Sequence, residues 1–374
     1  MIFVAILIGI LILGILVFVH EAGHFIAAKI FGVKVEEFGF GFPPRIWGKR
    51  KGETTYSINA IPAGGFVNLL GEVGDQGPRS FAAKPSWIRA LIVSAGVIVN
   101  LLLAVIIFTI LLWFTSFKTN FNLIVDNKFP FGNQENFILI AKVDPGSPAE
   151  KAGIEPGDKI VLANGQRFDS IASFKEFIDS SLGNKITLKL DNVTTNEEKE
   201  VGVVPRVHPP AGQGSLGVVF AGRGLVATVS YRSLSEKVFS GFLHAGNMLQ
   251  YQFVVIGSLV GRSIEEGTPE PVAEQVSGPI GIVALISVIV GAGGIAAIES
   301  LVTVIALLSL VLAVVNILPI PALDGGRLAF IVVEAITRRK VNPAIERAIH
   351  LVGFIVIIVL FLLVSYNDII KIFG

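Results

Sequence analysis

Four long runs of uncharged, apolar residues constrain the fold of this chain more than any other feature of its sequence. They cover residues 1–19, 91–117, 301–318 and 351–364. A bilayer core of about 30 Å needs about 20 helical residues, and each run meets or approaches that length. The sequence therefore predicts a polytopic α-helical membrane protein with about four transmembrane helices.

Composition excludes several other classes of protein. Charged residues make up 16% of the 374 residues, whereas soluble domains carry about 25%. The net charge of +1 provides no basic field for nucleic acid, so no nucleic-acid partner is predicted. Because the chain has no cysteine, disulfides, thiol nucleophiles and Cys-ligated metals are also excluded.

The first apolar run could be a secretory signal or a retained helix. No Lys or Arg precedes Lys29, and no small-residue cleavage site follows the run. A signal peptide normally has both a basic start and such a site. We therefore expect a retained first transmembrane helix.

Two polar stretches separate the apolar runs. Residues 33–87 alternate in places between apolar and polar side chains and contain many Gly and Pro, which predicts strands joined by turns. Residues 118 to about 275 are polar and charged, as in a soluble domain. Lys and Arg follow the first run and lie between the third and fourth runs. We therefore expect these two connections in the cytoplasm, and the N-terminus, the 118–275 domain and the C-terminus outside.

The clearest chemical signal is the sequence His20-Glu21-Ala22-Gly23-His24. Residues four apart on a helix share a face, so both imidazoles can reach one metal ion while Glu21 acts as general base on a water molecule. The alternative is a pair of interfacial or helix-capping histidines. Because ionisable groups inside a membrane are costly and usually functional, we favour the catalytic interpretation.

A third metal ligand is expected, because a catalytic zinc ion usually takes three protein ligands and leaves one position for water. The candidate is Asp324, which follows the third apolar run in the stretch N-I-L-P-I-P-A-L-D-G-G at residues 316–326. Its two prolines break the helix, and its two glycines are expected to let the backbone turn tightly behind the carboxylate. The alternative is a polar residue in an ordinary cytoplasmic turn.

A fifth apolar stretch, residues 280–298, contains four glycines and bears on the position of Asp324. If this stretch crossed the membrane, Asp324 would lie on the opposite side from His20 and His24. We therefore expect the stretch to be interfacial or re-entrant.

The chain resembles the site-2 protease family of zinc intramembrane metalloproteases, in particular its bacterial regulator-of-sigma-E type. The resemblance rests on the H-E-x-x-H motif in the first run and on N-x-x-P-x-P-x-L-D-G-G after the third. Residues 32–67 resemble the family's membrane-associated β-loop, residues 96–100 its G-x-x-x-N element, and residues 277–282 its S-G-P-I segment. Together these similarities cover nearly the whole chain.

The resemblance implies a zinc-dependent endopeptidase that cleaves membrane proteins within or near their transmembrane segments. It implies one Zn²⁺ per chain, held by His20, His24 and Asp324, with Glu21 as the catalytic acid and base. The enzyme would be a multi-pass protein of the cell inner membrane, with its active site near the cytoplasmic side. Its partners would be the lipid bilayer and membrane-embedded substrates, either single-pass anti-sigma factors or remnant signal peptides.

The resemblance also implies where a substrate would bind. Asn316 would contact the substrate main chain, although this residue could instead satisfy carbonyl groups freed before Pro319. The β-loop at Gly65 and Phe66 would pair with the substrate backbone.

Residues 143–160 resemble part of a PDZ domain, with a strand, a short helix from about Pro148 and a Gly-Asp turn into the next strand. One such unit is recognised, so we expect a single inserted α+β PDZ domain that lies outside the cell. A predicted strand there offers an edge to which a peptide can add; it consists of Leu216, Gly217, Val218 and Val219. The alternatives are a structural spacer or a size filter above the membrane site.

These predictions divide the chain into eight segments. They are residues 1–31, the first transmembrane helix with H-E-x-x-H; 32–87, the cytoplasmic, membrane-associated β-loop; 88–117, the second transmembrane helix; 118–222, the PDZ domain; 223–298, an amphipathic or interfacial helical region; 299–326, the third transmembrane helix with L-D-G-G; 327–347, a cytoplasmic connection; and 348–374, the fourth transmembrane helix and tail. The rival function classes are a transporter and a non-catalytic membrane scaffold. A transporter of the inverted-repeat kind should show two related halves, which the sequence lacks.

Overall fold

The computed structural model describes residues 2–72, 77–168, 170–192 and 197–373. They form two compact units, the first comprising Met1–Leu111 with Gly267–Gly374 and the second comprising Leu112–Glu266. Residues 1 and 374, the first and last residues of the predicted segments, lie outside the described residues. The predicted segment 223–298 is divided between the two units, because its first part packs into the core of the second.

Helices and strands follow one another along the chain in an order close to that expected. They are α1 (Ile2–Ile30), β1 (Val35–Lys51), β2 (Thr54–Leu69), α2 (Ser86–Phe114), β3 (Lys118–Leu123), β4 (Asn133–Val143), α3 (Pro148–Lys151), β5 (Asp158–Ala163), α4 (Ile171–Ser180), β6 (Ile186–Asn192), β7 (Glu198–Val203), β8 (Val218–Ser230), α5 (Leu234–Val238), α6 (Ser240–Glu266), α7 (Glu270–Gln275), α8 (Pro279–Ala292), α9 (Gly294–Ile317), α10 (Asp324–Thr337) and α11 (Pro343–Phe373).

Four of these helices are long and apolar enough to cross a membrane, which confirms the predicted number of spans among the described residues. They are α1, α2, α9 and α11, whose candidate membrane spans contain 28, 29, 24 and 30 residues. Helices of that length exceed the roughly 30 Å of a bilayer core. The polytopic α-helical class predicted from the sequence is therefore correct.

Most of the fifth apolar stretch forms α8, which has 14 residues and at about 1.5 Å per residue is too short to span a bilayer. The last residues of the stretch, 294–298, begin α9. Gly293 separates α8 from α9, whose first residue is Gly294, and these two glycines have positive φ angles of 65° and 73° that suit glycine. Ile286 of α8 is fully buried and packs against α1 at Leu16 and Ile12. The interfacial or re-entrant position of α8 stays a prediction.

The first polar stretch folds into an antiparallel hairpin of β1 and β2, as its alternating pattern predicts. The hairpin packs on α1 through aromatic rings, with Phe38 centred 5.1 Å from Phe18 and 4.7 Å from Phe25. The approach is close, because a Cβ on Gly14 of α1 would lie 2.6 Å from the carbonyl oxygen of Pro62. Membrane association of this hairpin stays a prediction.

The second unit contains a six-stranded antiparallel sheet in the order β3-β8-β4-β5-β6-β7. Alternating apolar residues of β6, Ile186, Leu188 and Leu190, are buried and pack with Phe174 of α4 in one core. The inserted α+β domain predicted from the sequence is therefore present. Its last strand, β8, begins at Val218, two residues later than the expected start at Leu216.

Helix α6 belongs to this domain and has two kinds of surface. Its residues His244, Asn247 and Leu259 are buried, whereas Phe253 and Ile256 are more than half exposed. The sequence left open whether this segment is packed or an amphipathic surface helix; the structure shows a packed face together with an exposed apolar one.

His244 lies inside the domain as a neutral side chain. Its ring stacks on Phe121 with centroids 5.4 Å apart, and its Nδ1 lies 3.4 Å from the hydroxyl of Tyr231. Burial lowers the pKa of His244 from 6.5 to about 4, since desolvation disfavours the charged imidazole.

We predict that acid destabilises this domain through His244. The unfolded chain binds a proton near pH 6.5 and the folded domain only near pH 4, so stability is complete above pH 6.5 and falls as pH drops towards 4. The expected loss between pH 7.5 and 5.0 is about 2 kcal/mol. Pulse proteolysis of the full-length protein in urea should show it, and His244→Gln should abolish it. The exposed His208, changed to Gln, is the control that should leave the loss intact.

Candidate metal centre

Three side chains from distant parts of the chain meet at one point in the first unit. His20 and His24 lie on α1, and Asp324 is the first residue of α10. The Nε2 atoms of the two imidazoles are 3.2 Å apart, and they lie 2.8 and 3.2 Å from Oδ2 of Asp324. Donor atoms around a tetrahedral zinc ion lie about 3.3 Å apart when each is 2.0–2.1 Å from the metal. This cluster therefore has the donor types and spacing that a zinc ion requires.

Helix α2 passes very close to the cluster because it carries glycine there. A Cβ on Gly96 would lie 2.5 Å from Nε2 of His24 and 2.7 Å from Nε2 of His20. On the facing side, a Cβ on Gly23 would lie 2.6 Å from the carbonyl oxygen of Ala95. The two helices touch backbone to backbone, and any larger residue at position 96 would displace the imidazoles.

The second ring nitrogen of each histidine is also engaged. Nδ1 of His24 donates to the carbonyl oxygen of Ile92 at 2.8 Å, which leaves Nε2 with a lone pair for a metal. Nδ1 of His20 lies 3.4 Å from the buried amide of Asn100, whose Oδ1 has no partner among the described residues. A half-turn of that amide brings Oδ1 to Nδ1–H, and Nε2 of His20 is then free for a metal as well.

Asp324 is positioned by an abrupt change from one helix to another. Helix α9 ends at Ile317, and α10 begins at Asp324 itself, so the carboxylate lies where the positive end of the helix dipole stabilises it. Burial alone would raise the pKa of Asp324, but hydrogen bonds with His20 and His24 hold this pKa well below its usual range. The carboxylate is therefore charged at neutral pH.

The expected role of the two following glycines needs correction. Gly325 and Gly326 belong to the first turn of α10, and the positive φ of 77° in this stretch belongs to Ala322. A Cβ on Gly326 would lie 2.5 Å from the carbonyl oxygen of Ile320, and one on Gly325 would overlap that of Leu318. The glycines thus permit close packing of α10 on the preceding segment and do not form the turn.

Glu21 lies beside the cluster in a cavity of about 270 Å³. Asp324, His24 and Phe66 line the same cavity. A carboxylate next to a metal-binding cluster and open to a space that can hold water or a peptide is the arrangement required of a general base in hydrolysis.

The structure brings together some of the predicted substrate-binding residues and separates others. Phe66 lines the cavity. The adjacent Gly65 lies on β2 and pairs with Phe40 of β1. A Cβ on Gly65 would lie 3.2 Å from the Cα of Phe18 on α1. Asn316 lies at the end of α9, outside the described residues that line this cavity.

Leu216, Gly217, Val218 and Val219 lie in the second unit, along a separate groove of about 670 Å³ between α4 and β8. Leu216 and Gly217 precede β8, contrary to the expected strand. Val218 and Val219 pair with β4 on one side only, since the described β3 partners of this strand begin at Leu225. Peptide binding at this edge stays a prediction.

Sequence reasoning missed two charged residues that line the cavity, Glu72 and Arg327. Glu72 and Arg327 form an ion pair across its edge. Arg327 follows Asp324 by three residues, so helical periodicity could have placed both on one face of α10. That signal was missed because the sequence predicted a cytoplasmic connection from residue 327 and no helix there.

Comparison with known proteins gives a full-length match. The model of the family described as Peptidase family M50 matches residues 8–360. A protein of Clostridium acetobutylicum is 33% identical over 376 residues, which cover 98% of each chain, and one of Clostridium perfringens is 31% identical over 356 residues, which cover 95% of each. Both carry the name "Putative zinc metalloprotease".

Among solved structures, the PDZ domain of the SdrC-like protein of Listeria innocua is 22% identical to this chain, with a TM-score of 0.20. The alignment covers 22% of this chain and 92% of that domain.

We predict that Gly96→Ala abolishes metal binding. The added Cβ has no room between the helices and must push both imidazoles away from Asp324. Purified protein should lose most of its bound zinc, as measured by elemental analysis. Gly257→Ala on α6 is the matched control, because a Cβ there meets nothing within 4 Å. Normal zinc content in Gly96→Ala would show that α2 does not confine the cluster.

Proposed function

The chain belongs to peptidase family M50, the site-2 protease family, and on that premise we propose that it cleaves other membrane proteins within the bilayer. The chain is a zinc metalloprotease of this family. The observation that carries the proposal is the meeting of His20, His24 and Asp324, with Glu21 beside them, where two of the ligands lie on a helix long enough to span a membrane.

His20, His24 and Asp324 would hold one zinc ion per chain. Bound there, zinc would supply Lewis acidity that polarises the scissile carbonyl and lowers the pKa of the attacking water. The Ile92 carbonyl and the Asn100 amide would keep the imidazole rings in orientation.

Glu21 would move the proton. Its carboxylate would take a proton from the attacking water and then pass that proton to the nitrogen of the departing amine. A peptide bond and one water are thereby converted into a carboxylic acid and an amine, which at neutral pH exchange a proton and become a carboxylate and an ammonium group. The enclosing cavity would admit a locally unwound peptide and limit the access of bulk water.

The substrate would enter beside the hairpin of β1 and β2. Phe66 lines the cavity and Gly65 lies next to it, so the backbone of β2 is available to an extended peptide that reaches Glu21. Asn316 would have to approach the peptide from the end of α9. Suitable substrates are single-pass anti-sigma factors or remnant signal peptides.

The basic residues support a topology with the metal centre near the cytoplasmic face. Arg79 pairs with Glu53 of the hairpin turn, Arg89 pairs with Glu334 of α10, and Lys340 donates to the carbonyl oxygen of Ala82, all within the unit that holds the cluster. With cytoplasmic loops richer in Lys and Arg, the second unit would lie outside the cell. Its groove along Val218 and Val219 would bind an extended peptide, and the domain could equally act as a filter that excludes bulky substrates.

We predict that Asp324→Asn lowers zinc affinity by roughly 100-fold or more, beyond what changes to neighbouring hydrogen bonds usually cost. The amide lacks the negative charge, although its size is unchanged. Competition with a chelator measures the affinity. Glu346→Gln on α11 is a carboxylate control outside the cluster. Equal affinities of parent and Asp324→Asn would show that Asp324 is only a helix-terminal residue.

We predict that Glu21→Gln keeps zinc but loses proteolysis by a factor on the order of 10³, since general acid–base catalysis contributes about 10²–10⁴-fold. The measurement is cleavage of a transmembrane peptide in micelles by zinc-loaded protein. Glu299→Gln, at an exposed position on α9, should cleave normally. A non-catalytic scaffold or a transporter would not distinguish the two variants in this assay.

A further inference from the structure

A second cavity adjoins the metal cavity within the first unit. It has a volume of about 400 Å³ and is lined mainly by α10, by the start of α11 and by the segment between β2 and α2. Glu72, Phe81 and Arg327 line both cavities. The two spaces are therefore neighbours separated by these three side chains.

The ion pair of Arg327 and Glu72 lies at this boundary. Arg327 is on the same face of α10 as Asp324, one turn further along. Both side chains remain partly exposed, at 43% and 30%. A guanidinium in this position can leave Glu72 for another carboxylate that arrives from the metal centre.

The second cavity contains hydrogen-bond donors that lack acceptors. Nδ1 of His350 accepts from the backbone N–H of Ala322 at 2.8 Å, so in the neutral ring Nε2 carries the proton. This Nε2 and the Nε of Arg89 are buried and have no partner among residues 2–72, 77–168, 170–192 and 197–373. Buried donors of this kind are costly unless an acceptor reaches them.

Two of the three carboxylates in the cavity wall, Glu334 and Glu72, are already paired, and the third is Glu346. Glu334 binds Arg89 at 2.5 Å and accepts the backbone N–H of Val341 at 2.9 Å, while Glu72 binds Arg327. Lys340 and Arg347, together with Arg89 and Arg327, give the wall four cationic side chains against three carboxylates. The site therefore fits a small anionic group with oxygen acceptors.

Peptide hydrolysis generates such a group at the metal centre. Of the two products, one ends in a new carboxylate and the other begins with a new amine. We propose that the second cavity receives the new carboxyl terminus of the amino-terminal product and that Arg327 binds it as it leaves the metal centre. Arg and carboxylate form paired, charge-assisted hydrogen bonds, and Phe81, Phe330 and Ile331 provide an apolar wall for the last side chains.

This inference rests on the proposed function, since only proteolysis would supply the carboxylate. An anionic lipid headgroup would also satisfy the donors. The shared lining with the metal cavity favours the product, because a group released at Asp324 meets Arg327 within one helical turn.

The test measures binding to full-length Glu21→Gln protein in neutral detergent, with and without zinc. The probes are an acetylated ten-residue apolar peptide with a free carboxyl terminus and the same peptide ending in an amide. We expect the free acid to bind about 10-fold more tightly, also in metal-free protein. Adding Arg327→Gln should remove this preference. Adding Arg339→Gln, on an exposed arginine outside the cavity, should preserve it.

Several results would overturn the proposal. These are equal binding of acid and amide, a preference that requires zinc, or a preference that survives Arg327→Gln. Displacement of the peptide by phosphatidylglycerol with no preference between acid and amide would assign the cavity to lipid headgroups. If Arg327→Gln fails to bind zinc, the test uses Arg327→Lys instead, because lysine retains a positive charge opposite Glu72. Arg327→Lys should weaken the preference for the free acid. An unchanged preference in Arg327→Lys counts against the proposal. Cleavage by the parent protein without any carboxylate preference would refute this inference and leave the proposed function intact.

Discussion

Two imidazoles in an apolar helix can be accommodated only where other polar groups meet them. An unpartnered polar group in a low-dielectric environment costs several kcal/mol. His20 and His24 meet Asp324, the carbonyl oxygen of Ile92 and the amide of Asn100. The backbone carbonyl of Asn100 in turn accepts the hydroxyl of Ser309 on α9. The cluster thereby joins α1, α2 and the segment that follows α9.

Such contacts are possible because glycine removes side chains where the backbones must approach. Gly96 opposes the two imidazoles, Gly23 opposes Ala95, and Gly14 makes room for the hairpin. The same applies to the first turn of α10, where Gly325 and Gly326 pack against carbonyl groups. In apolar surroundings, where the hydrophobic effect does not drive helices together, small residues at the contact favour association through close packing.

The charged residues around the cluster line two neighbouring cavities. Glu21 and Asp324 face the first cavity, and the pair of Glu72 and Arg327 separates this cavity from the more basic second one. In the proposed function, the acidic cavity would hold the reacting water, and the neighbouring, more basic cavity would suit an anionic product. This arrangement depends on α10, whose face carries both Asp324 and Arg327.

The sequence by itself determined the number of long apolar helices, the hairpin after the first, the inserted α+β domain, and His20, Glu21 and His24 as neighbours on one helix face. These features depend on local periodicity, composition and residue spacing, which a sequence contains directly. The sequence also identified Asp324 as the candidate third metal ligand, although 300 residues separate it from His24. It did not reveal α10, the reason for Gly325 and Gly326, or the later start of β8.

Only the tertiary structure decided which distant groups meet. Nothing in the local pattern indicates that Gly96 leaves room for two imidazoles, that Asn100 faces His20, or that Arg327 pairs with Glu72. Such contacts depend on the crossing geometry of helices and on steric exclusion between residues far apart in the chain. Spacing along one helix can place two metal-binding donors on a common face. The packing of three helices determines which distant group joins those donors to complete the cluster.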